Sequence, residues 1–136
     1  MDKKLSALLV LFVLIFSLFI IFIVFRTPIA TFTRAKEELI PSSESSLIFA
    51  WPLSAKAGSD KVNVNVFVRN ANNLPLPNKV VTLQTSLGAL DSNSQTTDKS
   101  GKASFGLTSQ EAGVAEITAT VDSQIQLKQT VSIKFD

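Results

Sequence analysis

The stretch Thr96–Leu107, TTDKSGKASFGL, places an acidic residue, a glycine and an alternating apolar run within twelve positions. Asp98 and Gly101 have the spacing of a tight turn, in which an aspartate bonds to nearby backbone amides and a glycine takes a positive φ. From residue 103 to residue 107 every second residue is apolar, which is typical of the core-facing side of a β-strand. The stretch is therefore predicted to be a strand end, a turn and a second strand.

An ion-binding loop is the alternative interpretation of the same residues. A calcium loop needs several oxygen ligands at alternate positions and a closing glutamate. Here only Asp98 and Ser100 are suitably placed, and the closing position falls on Ser109. A phosphate-binding loop would need Gly-Lys followed by Ser or Thr, which is missing. The turn interpretation is favoured, and neither a metal ion nor another cofactor is expected.

The pattern of period two continues on both sides of this stretch. VNVNVFV (62–68) has valine at every second position. IQLKQTVSIKF (125–135) has the same alternation of apolar residues except at Gln129, where we expect a bulge or a sheet edge. Other runs place Leu47, Phe49, Trp51, Val81, Leu83, Ala115, Ile117, Ala119 and Val121 on core-facing sides. Turn signals separate six strands, or about seven if the last is broken at Gln129. The fold class predicted for residues 46–136 is all-β, an Ig-like antiparallel β-sandwich.

A transmembrane α-helix is predicted before this domain. Leu5–Phe25 is 21 residues long and uncharged, which at about 1.5 Å per residue spans the hydrocarbon core of a bilayer. A cleaved signal peptide is the alternative, but its apolar region is shorter and ends in a small-x-small site, which Phe25-Arg26-Thr27-Pro28 does not offer. The expected organisation is a cytoplasmic tip (1–4), an uncleaved anchor (5–25), a juxtamembrane stalk (26–45) and the sandwich (46–136).

The orientation of the anchor depends on the nature of the domain. Basic residues are nearly balanced across the helix, because Lys3 and Lys4 precede it and Arg26, Arg34 and Lys36 follow it. The strand-rich, turn-rich C-terminal part is typical of a surface module. We therefore expect a single-pass protein of a bacterial cytoplasmic membrane, in contact with membrane lipid, with its C-terminal domain outside the cytoplasm.

Two features flank the end of the membrane segment. Thr27 and Pro28 suit the N-cap and first position of a short juxtamembrane helix that ends near residue 39. Within the membrane segment, Phe12, Phe16 and Phe19 lie on one side of the helix and could pack against a partner helix. Lipid-facing bulk is the favoured interpretation of these rings, because no glycine or small-xxx-small pair would let another helix approach closely.

Composition excludes several kinds of chemistry. The chain has no histidine, cysteine or tyrosine, so a Ser-His-Asp or Cys-His nucleophile, a Cys/His zinc site and a disulfide are impossible. From residue 46 onward eight basic and seven acidic residues are interspersed, so no basic stripe is available for nucleic acid. The carboxylates are scattered, and no pair shares an apolar environment. The protein is therefore not expected to be an enzyme.

Two aromatic residues of the domain are candidates for partner contact. Trp51 could be an exposed contact residue, although partial packing into the core is the favoured interpretation. Phe67 lies on the polar side of a valine-rich strand, where an exposed aromatic ring can anchor a partner. Coverage of Phe67 by the stalk or a neighbouring loop explains it equally well.

The spaced elements of the domain resemble a known family. VFVRNANNLPLPNKVVTLQTSLGAL (66–90) and TTDKSGKASFGLTSQEAGVAEITATV (96–121) are similar to bacterial Ig-like domains of the invasin/intimin class, which have the same order of strands, a proline-containing turn, T-D-x-x-G-x-A and A-G-x-A-x-I-T-A. The resemblance covers residues 46–136. It implies an extracytoplasmic spacer or adhesive module, here in a single copy behind a helix.

The predicted function is display, adhesion or protein contact without catalysis, with another protein or a surface polymer as the partner. Three alternatives remain: a subunit of a cell-surface filament or envelope complex assembled through the apolar helix, an accessory subunit of a membrane enzyme, and a glycan-binding module. The oligomeric state is left open.

Overall fold

The computed structural model describes residues 2–136, apart from the side chains of residues 26–38. The chain divides between Glu37 and Glu38 into two compact units. The first is built by one helix, α1 (Lys3–Glu38). Because α1 runs from Lys3 to Glu38 as one helix, the separate helix start predicted at Pro28 is wrong. The side chain of Thr27, and with it the predicted cap, lies outside the described residues.

Helix α1 is apolar on every side over its first two thirds. Among the described residues, Lys3–Phe25 is long and apolar enough to cross a membrane, judged by length and composition. Its large apolar side chains from Leu5 to Phe25 are all exposed. A signal sequence near an N-terminus can pass the same test of length and composition, so the anchoring role is considered below as a proposal.

The second unit is a β-sandwich of ten strands. The strands are β1 (Leu47–Trp51), β2 (Ser54–Ala55), β3 (Val62–Phe67), β4 (Val80–Thr85), β5 (Ala89–Leu90), β6 (Ser94–Thr96), β7 (Lys102–Thr108), β8 (Gly113–Val121), β9 (Ile125–Gln126) and β10 (Val131–Phe135). One sheet has the order β1-β3-β7-β5, and the other has the order β2-β10-β8-β4-β6 with β9 beside β8. All ladders are antiparallel except β2 with β10. The predicted fold class is confirmed, and the extra strands have two or three residues each, too few for a period of two to reveal.

The core lies between the two sheets and follows the predicted alternation. On β3 the valines at 62, 64 and 66 are fully buried, and β7 and β8 contribute their own alternate residues. The largest side chains with almost no exposure include Phe135, Leu107, Ile117 and Ile133. This apolar filling holds the sheets together without disulfides, since the chain has no cysteine.

Strand β1 faces the opposite way from the prediction. Ile48 is fully buried, whereas Phe49 and Trp51 are exposed. The ladder explains the difference, because Ile48 pairs with Val66 and residues directly opposite each other share a face of the sheet. Since Val66 faces the core, Ile48 must do so too, and the expected core packing of Trp51 is wrong.

The last predicted strand is broken around Gln129, as expected. Strand β9 ends at Gln126 and β10 begins at Val131. Leu127 still points into the core, while Gln129 is exposed and its side-chain Oε1 accepts a hydrogen bond from the amide of Ile48 at 3.3 Å. The exception in the alternation therefore marks a contact with the edge strand β1.

Candidate interaction surface

The outer face of the four-stranded sheet carries an exposed aromatic stripe, formed by Phe49, Trp51 and Phe67. Phe49 and Trp51 alternate on β1, and the exposed fraction is 50% for Phe49 and 76% for Trp51. Phe67 ends the neighbouring strand β3 and lies on the same face, because it pairs directly with Leu47. The stripe therefore follows the edge of the sheet over the length of β1.

Phe67 is half-buried because another aromatic ring covers it. Its ring meets that of Phe49 edge to face, with the centroids 6.0 Å apart and the planes at 73°. This is a favoured geometry for two aromatic rings. A residue of the neighbouring strand β1 therefore covers Phe67. The sequence predicts cover by the stalk or a loop and does not consider β1.

Polar side chains of the neighbouring strand β3 border the stripe on the same outer face of the sheet. Asn63 lies directly opposite Trp51, and Asn65 lies directly opposite Phe49. The hydroxyl of Ser104 on β7 donates a hydrogen bond of 2.9 Å to Oδ1 of Asn65. An apolar strip with a polar border is typical of a protein contact surface.

One side of the β1 backbone pairs with β3, and the other side lies at the edge of the sheet. In an antiparallel pair, successive residues point their N–H and C=O groups alternately toward the partner strand and away from it. The amide of Ile48 points away from β3, since it donates to the side chain of Gln129. By the same alternation the backbone groups of Ala50 also point away from β3.

On the same face, an ion pair between Lys61 and Asp91 lies over Gly106 of β7. Nζ of Lys61 lies 3.0 Å from Oδ2 of Asp91, whose Oδ1 accepts the amide hydrogen of Gly106 at 2.9 Å. A Cβ at position 106 would lie 1.8 Å from Cε of Lys61, so the lysine stem crosses the strand where there is no side chain. The Gly106 amide, and after it Lys61, hold the pKa of the Asp91 carboxyl below its usual value.

The stretch that suggested an ion site is a tight turn. Oδ1 of Asp98 accepts hydrogen bonds from the Ser100 amide at 2.8 Å, the Ser100 hydroxyl at 2.6 Å and the Lys102 amide at 3.0 Å. Gly101 has a φ of 72°. These donors, the Ser100 hydroxyl first, lower the pKa of the Asp98 carboxyl. The carboxylate stabilises the turn, as the spacing predicts.

Two features of the described residues bear on chemistry: a groove of the sandwich and the distribution of its acidic side chains. A groove of about 700 Å³ beside β4 and β5 is lined by Thr82, Gln84, Thr85, Asn93 and neighbouring residues, none of them titratable. In the described part of the chain, no three His, Cys, Asp or Glu side chains come together as metal ligands.

The aromatic residues of α1 up to Phe25 are on the surface of that helix. The rings of Phe12 and Phe16 stack with centroids 6.1 Å apart and planes 12° apart. Phe12, Phe16 and Phe19 are all more than half exposed. Packing against a partner helix stays a prediction.

Of the three residues of the stripe, the sequence predicts Phe67 and Trp51 as candidates for contact, but it favours core packing for Trp51 and places Phe49 on the core-facing side. Phe49 was assigned to the core because LIFAW is apolar at every position, which leaves the two faces of β1 indistinguishable. The exposure of Phe49 follows from the ladder between β1 and β3, because the valines of β3 define the core face. For Gln129 the sequence predicts a bulge or a sheet edge but not the hydrogen bond to β1.

Comparisons with known proteins agree with this architecture. Residues 54–136 match the family model described as bacterial Ig-like domain (group 1). The Yersinia pseudotuberculosis adhesin InvE is similar at 28% identity and a TM-score of 0.63, over 70% of this chain and 27% of that chain. The D0-D1 domain of intimin is similar at 30% identity and a TM-score of 0.58, over 71% and 49%. No curated protein matches the chain.

A third similar structure includes a bound partner. It is a C-terminal fragment of intimin in complex with the intimin-binding domain of the translocated intimin receptor, at 28% identity and a TM-score of 0.58, over 71% of this chain and 33% of that chain. The present chain spans less than half the length of each of the three structures.

Proposed function

Because the chain belongs to the bacterial Ig-like domain (group 1) family, we propose that it is a membrane-anchored extracytoplasmic module that makes adhesion-type contacts with another protein and performs no catalysis. Similarity to adhesin domains supports the adhesion-type role. A protein partner is proposed by analogy with the intimin fragment that was solved with its receptor.

The observation that carries the proposal is the exposure of Trp51 and Phe49. Large aromatic side chains are the residues that most often dominate binding energy at protein interfaces. Exposed together at a sheet edge, they cost solvation free energy that contact with a partner would recover. The stripe is the surface through which we expect the module to bind.

The anchoring part of the proposal rests on α1. A helix that is apolar on all sides is stable in a membrane or inside a protein core, and the large side chains from Leu5 to Phe25 are exposed. At about 1.5 Å per residue, Lys3–Phe25 spans roughly 35 Å, enough for the hydrocarbon core. The apolar segment ends in Phe25-Arg26-Thr27-Pro28, which offers no small-x-small cleavage site and so favours an anchor over a removed signal.

Site-specific photocrosslinking in the native membrane tests the contact surface. A photoreactive phenylalanine analogue is placed at Trp51 in the full-length chain, and a matched variant carries it at Val114, which is 60% exposed on the other sheet. We expect a discrete protein adduct from position 51 and none from position 114. Equal adducts from both positions, or none from position 51, would contradict the proposal.

A further inference from the structure

The edge strands of the two sheets differ sharply in how they are protected. The sheets end in β1, β5, β2 and β6. Strands β2 and β5 have two residues and β6 has three, whereas β1 has five apolar residues, LIFAW, without a charge or a proline. Short length, charge and proline are the usual devices against pairing between edges. Strand β1 therefore lacks these three devices, and its edge is contacted at the Ile48 amide by the side chain of Gln129.

We propose that β1 binds β1 of a second copy of this chain in an antiparallel ladder centred on Phe49. The inference rests on the proposed contact function and names the partner. In this arrangement the edge backbone and the aromatic side chains of β1 would both contact the second copy.

The register follows from the backbone alternation. Ile48 and Ala50 point their backbone groups to the free edge, so these residues must form the hydrogen-bonded pairs of a new ladder. Centred on Phe49, the ladder joins Ile48 to Ala50 of the second copy and Ala50 to Ile48 of the second copy. Each of these pairs exchanges two backbone hydrogen bonds.

The same register joins the aromatic residues. Phe49 lies directly opposite Phe49 of the second copy, in a pair without backbone hydrogen bonds, where side chains approach most closely. Leu47 lies opposite Trp51 of the second copy, and the reverse pair repeats this contact. A centre at Ile48 or Ala50 also satisfies the alternation but leaves two residues of β1 without a partner. Of the registers that satisfy the alternation, the one centred on Phe49 therefore pairs all five residues of β1.

The contact is expected to be weak in dilute solution. With 150–250 Å² for a whole aromatic side chain, the exposed parts of Phe49 and Trp51 amount to roughly 300 Å² per copy. Two copies bury about 600 Å² through these rings, below the roughly 1,200 Å² of stable complexes. Attachment to membranes would raise the effective concentration and favour pairing.

Gln129 competes with the second copy for the edge. Its Oε1 holds the Ile48 amide at 3.3 Å, at the long end of the hydrogen-bond range. The carbonyl of Ala50 from the second copy would replace it. Removing this side chain should therefore increase pairing, whereas removing the Ala50 amide should abolish it.

Antiparallel pairing also sets the direction of the two copies. The chain enters the sandwich at Leu47 and reaches the far end of β1 at Trp51. Because Leu47 pairs with Trp51 of the second copy, the two entry points lie at opposite ends of the ladder.

Disulfide trapping tests the register, since the chain has no cysteine of its own. The full-length chain is reconstituted in lipid vesicles as the Phe49→Cys variant and oxidised. The two introduced thiols would lie on α-carbons about 4.5 Å apart, within the range of a disulfide. In Trp51→Cys the α-carbons of the two introduced cysteines would be about 13 Å apart along the strands. In Asn65→Cys they would be about 14 Å apart, across three strand spacings. Neither variant should be trapped.

The expected result is a trapped dimer of Phe49→Cys several-fold above both controls. Adding Ala50→Pro, which deletes the edge amide but no ladder bond to β3, should reduce it to the control level, and adding Gln129→Ala should increase it. Trapping of Phe49→Cys no better than of Asn65→Cys, or equal trapping of Trp51→Cys, would overturn the inference. A photoadduct from position 51 to a different protein, with no such dimer, would overturn the second-copy partner and leave the proposed function intact.

Discussion

The rings of Phe49 and Phe67 meet edge to face at the edge of the four-stranded sheet, with their centroids 6.0 Å apart. This pair joins β1 to β3 on the outer face, while Ile48 and Val66 join the same strands on the core face. Both faces of the edge strand are therefore fixed, and Trp51 is held outward beyond the last aromatic contact.

The Phe49 and Phe67 pair should show a measurable coupling energy. Changing either ring to alanine removes the edge-to-face contact, so the second change should cost less once the first is made. We expect a coupling of about 0.5–1.5 kcal/mol from a double-mutant cycle followed by urea unfolding. Simple additivity of the two changes would show that the contact contributes nothing to stability.

Trp51 should report its own exposure directly, because it is the single tryptophan of the chain. With 76% of its surface exposed, it should emit at long wavelength and be quenched readily by acrylamide. The Trp51→Phe variant gives the background and should unfold at the same urea concentration. Short-wavelength, protected emission from the unpaired chain would instead support the core packing that the sequence alone suggested.

Two glycines with positive φ should respond differently to alanine. Gly101 has a φ of 72°, and a Cβ there would lie 2.6 Å from the carbonyl oxygen of Val68, so Gly101→Ala should cost about 2–4 kcal/mol. Gly58 has a φ of 79° but its nearest neighbour is Oε1 of Gln110 at 3.7 Å, so Gly58→Ala should cost about 1 kcal/mol. Equal losses of unfolding free energy would show that the close approach at Gly101 is unimportant.

Acid should weaken the contribution of Asp91 to stability. Its carboxyl pKa is lowered in the folded chain, first by the Gly106 amide and then by Lys61, so its contribution is complete above the unfolded pKa of about 3.9. It is lost as the pH falls through the lower folded value. The difference in unfolding free energy between the native chain and Asp91→Asn should therefore narrow below about pH 4.

Lys61→Met is the matched control for this pH dependence. It removes Lys61, the second cause of the lowered pKa of Asp91, and keeps the hydrogen bond from Gly106. The stability difference between Lys61→Met and Lys61→Met with Asp91→Asn should therefore still narrow at low pH, but by less. A difference between the native chain and Asp91→Asn that is constant from pH 7 to pH 3 would contradict the assignment.

The architecture was predictable because its strongest signals are local. The valines of β3 and the alternate residues of β7 and β8 each define a core face within one strand, and the turn at Asp98 depends on residues within four positions. Side-chain alternation of this kind requires only that one face be apolar and the other polar.

The orientation of β1 and the role of Gln129 could not be predicted in this way. LIFAW is apolar on both faces, so only its ladder with β3, some sixteen residues away, decides which residues are buried. The bond from Ile48 to Gln129 joins residues 81 positions apart. Both features depend on long-range pairing that no local pattern records.

The placement of the domain outside the cytoplasm is the central claim, and thiol labelling tests it most directly. Ser59 is exposed in the sandwich and Asp2 is exposed before α1, and each is changed to cysteine in a chain that otherwise has none. On intact protoplasts, a membrane-impermeant maleimide should label the Ser59→Cys variant at once and the Asp2→Cys variant only after permeabilisation. Labelling of Ser59→Cys only after permeabilisation would contradict the account.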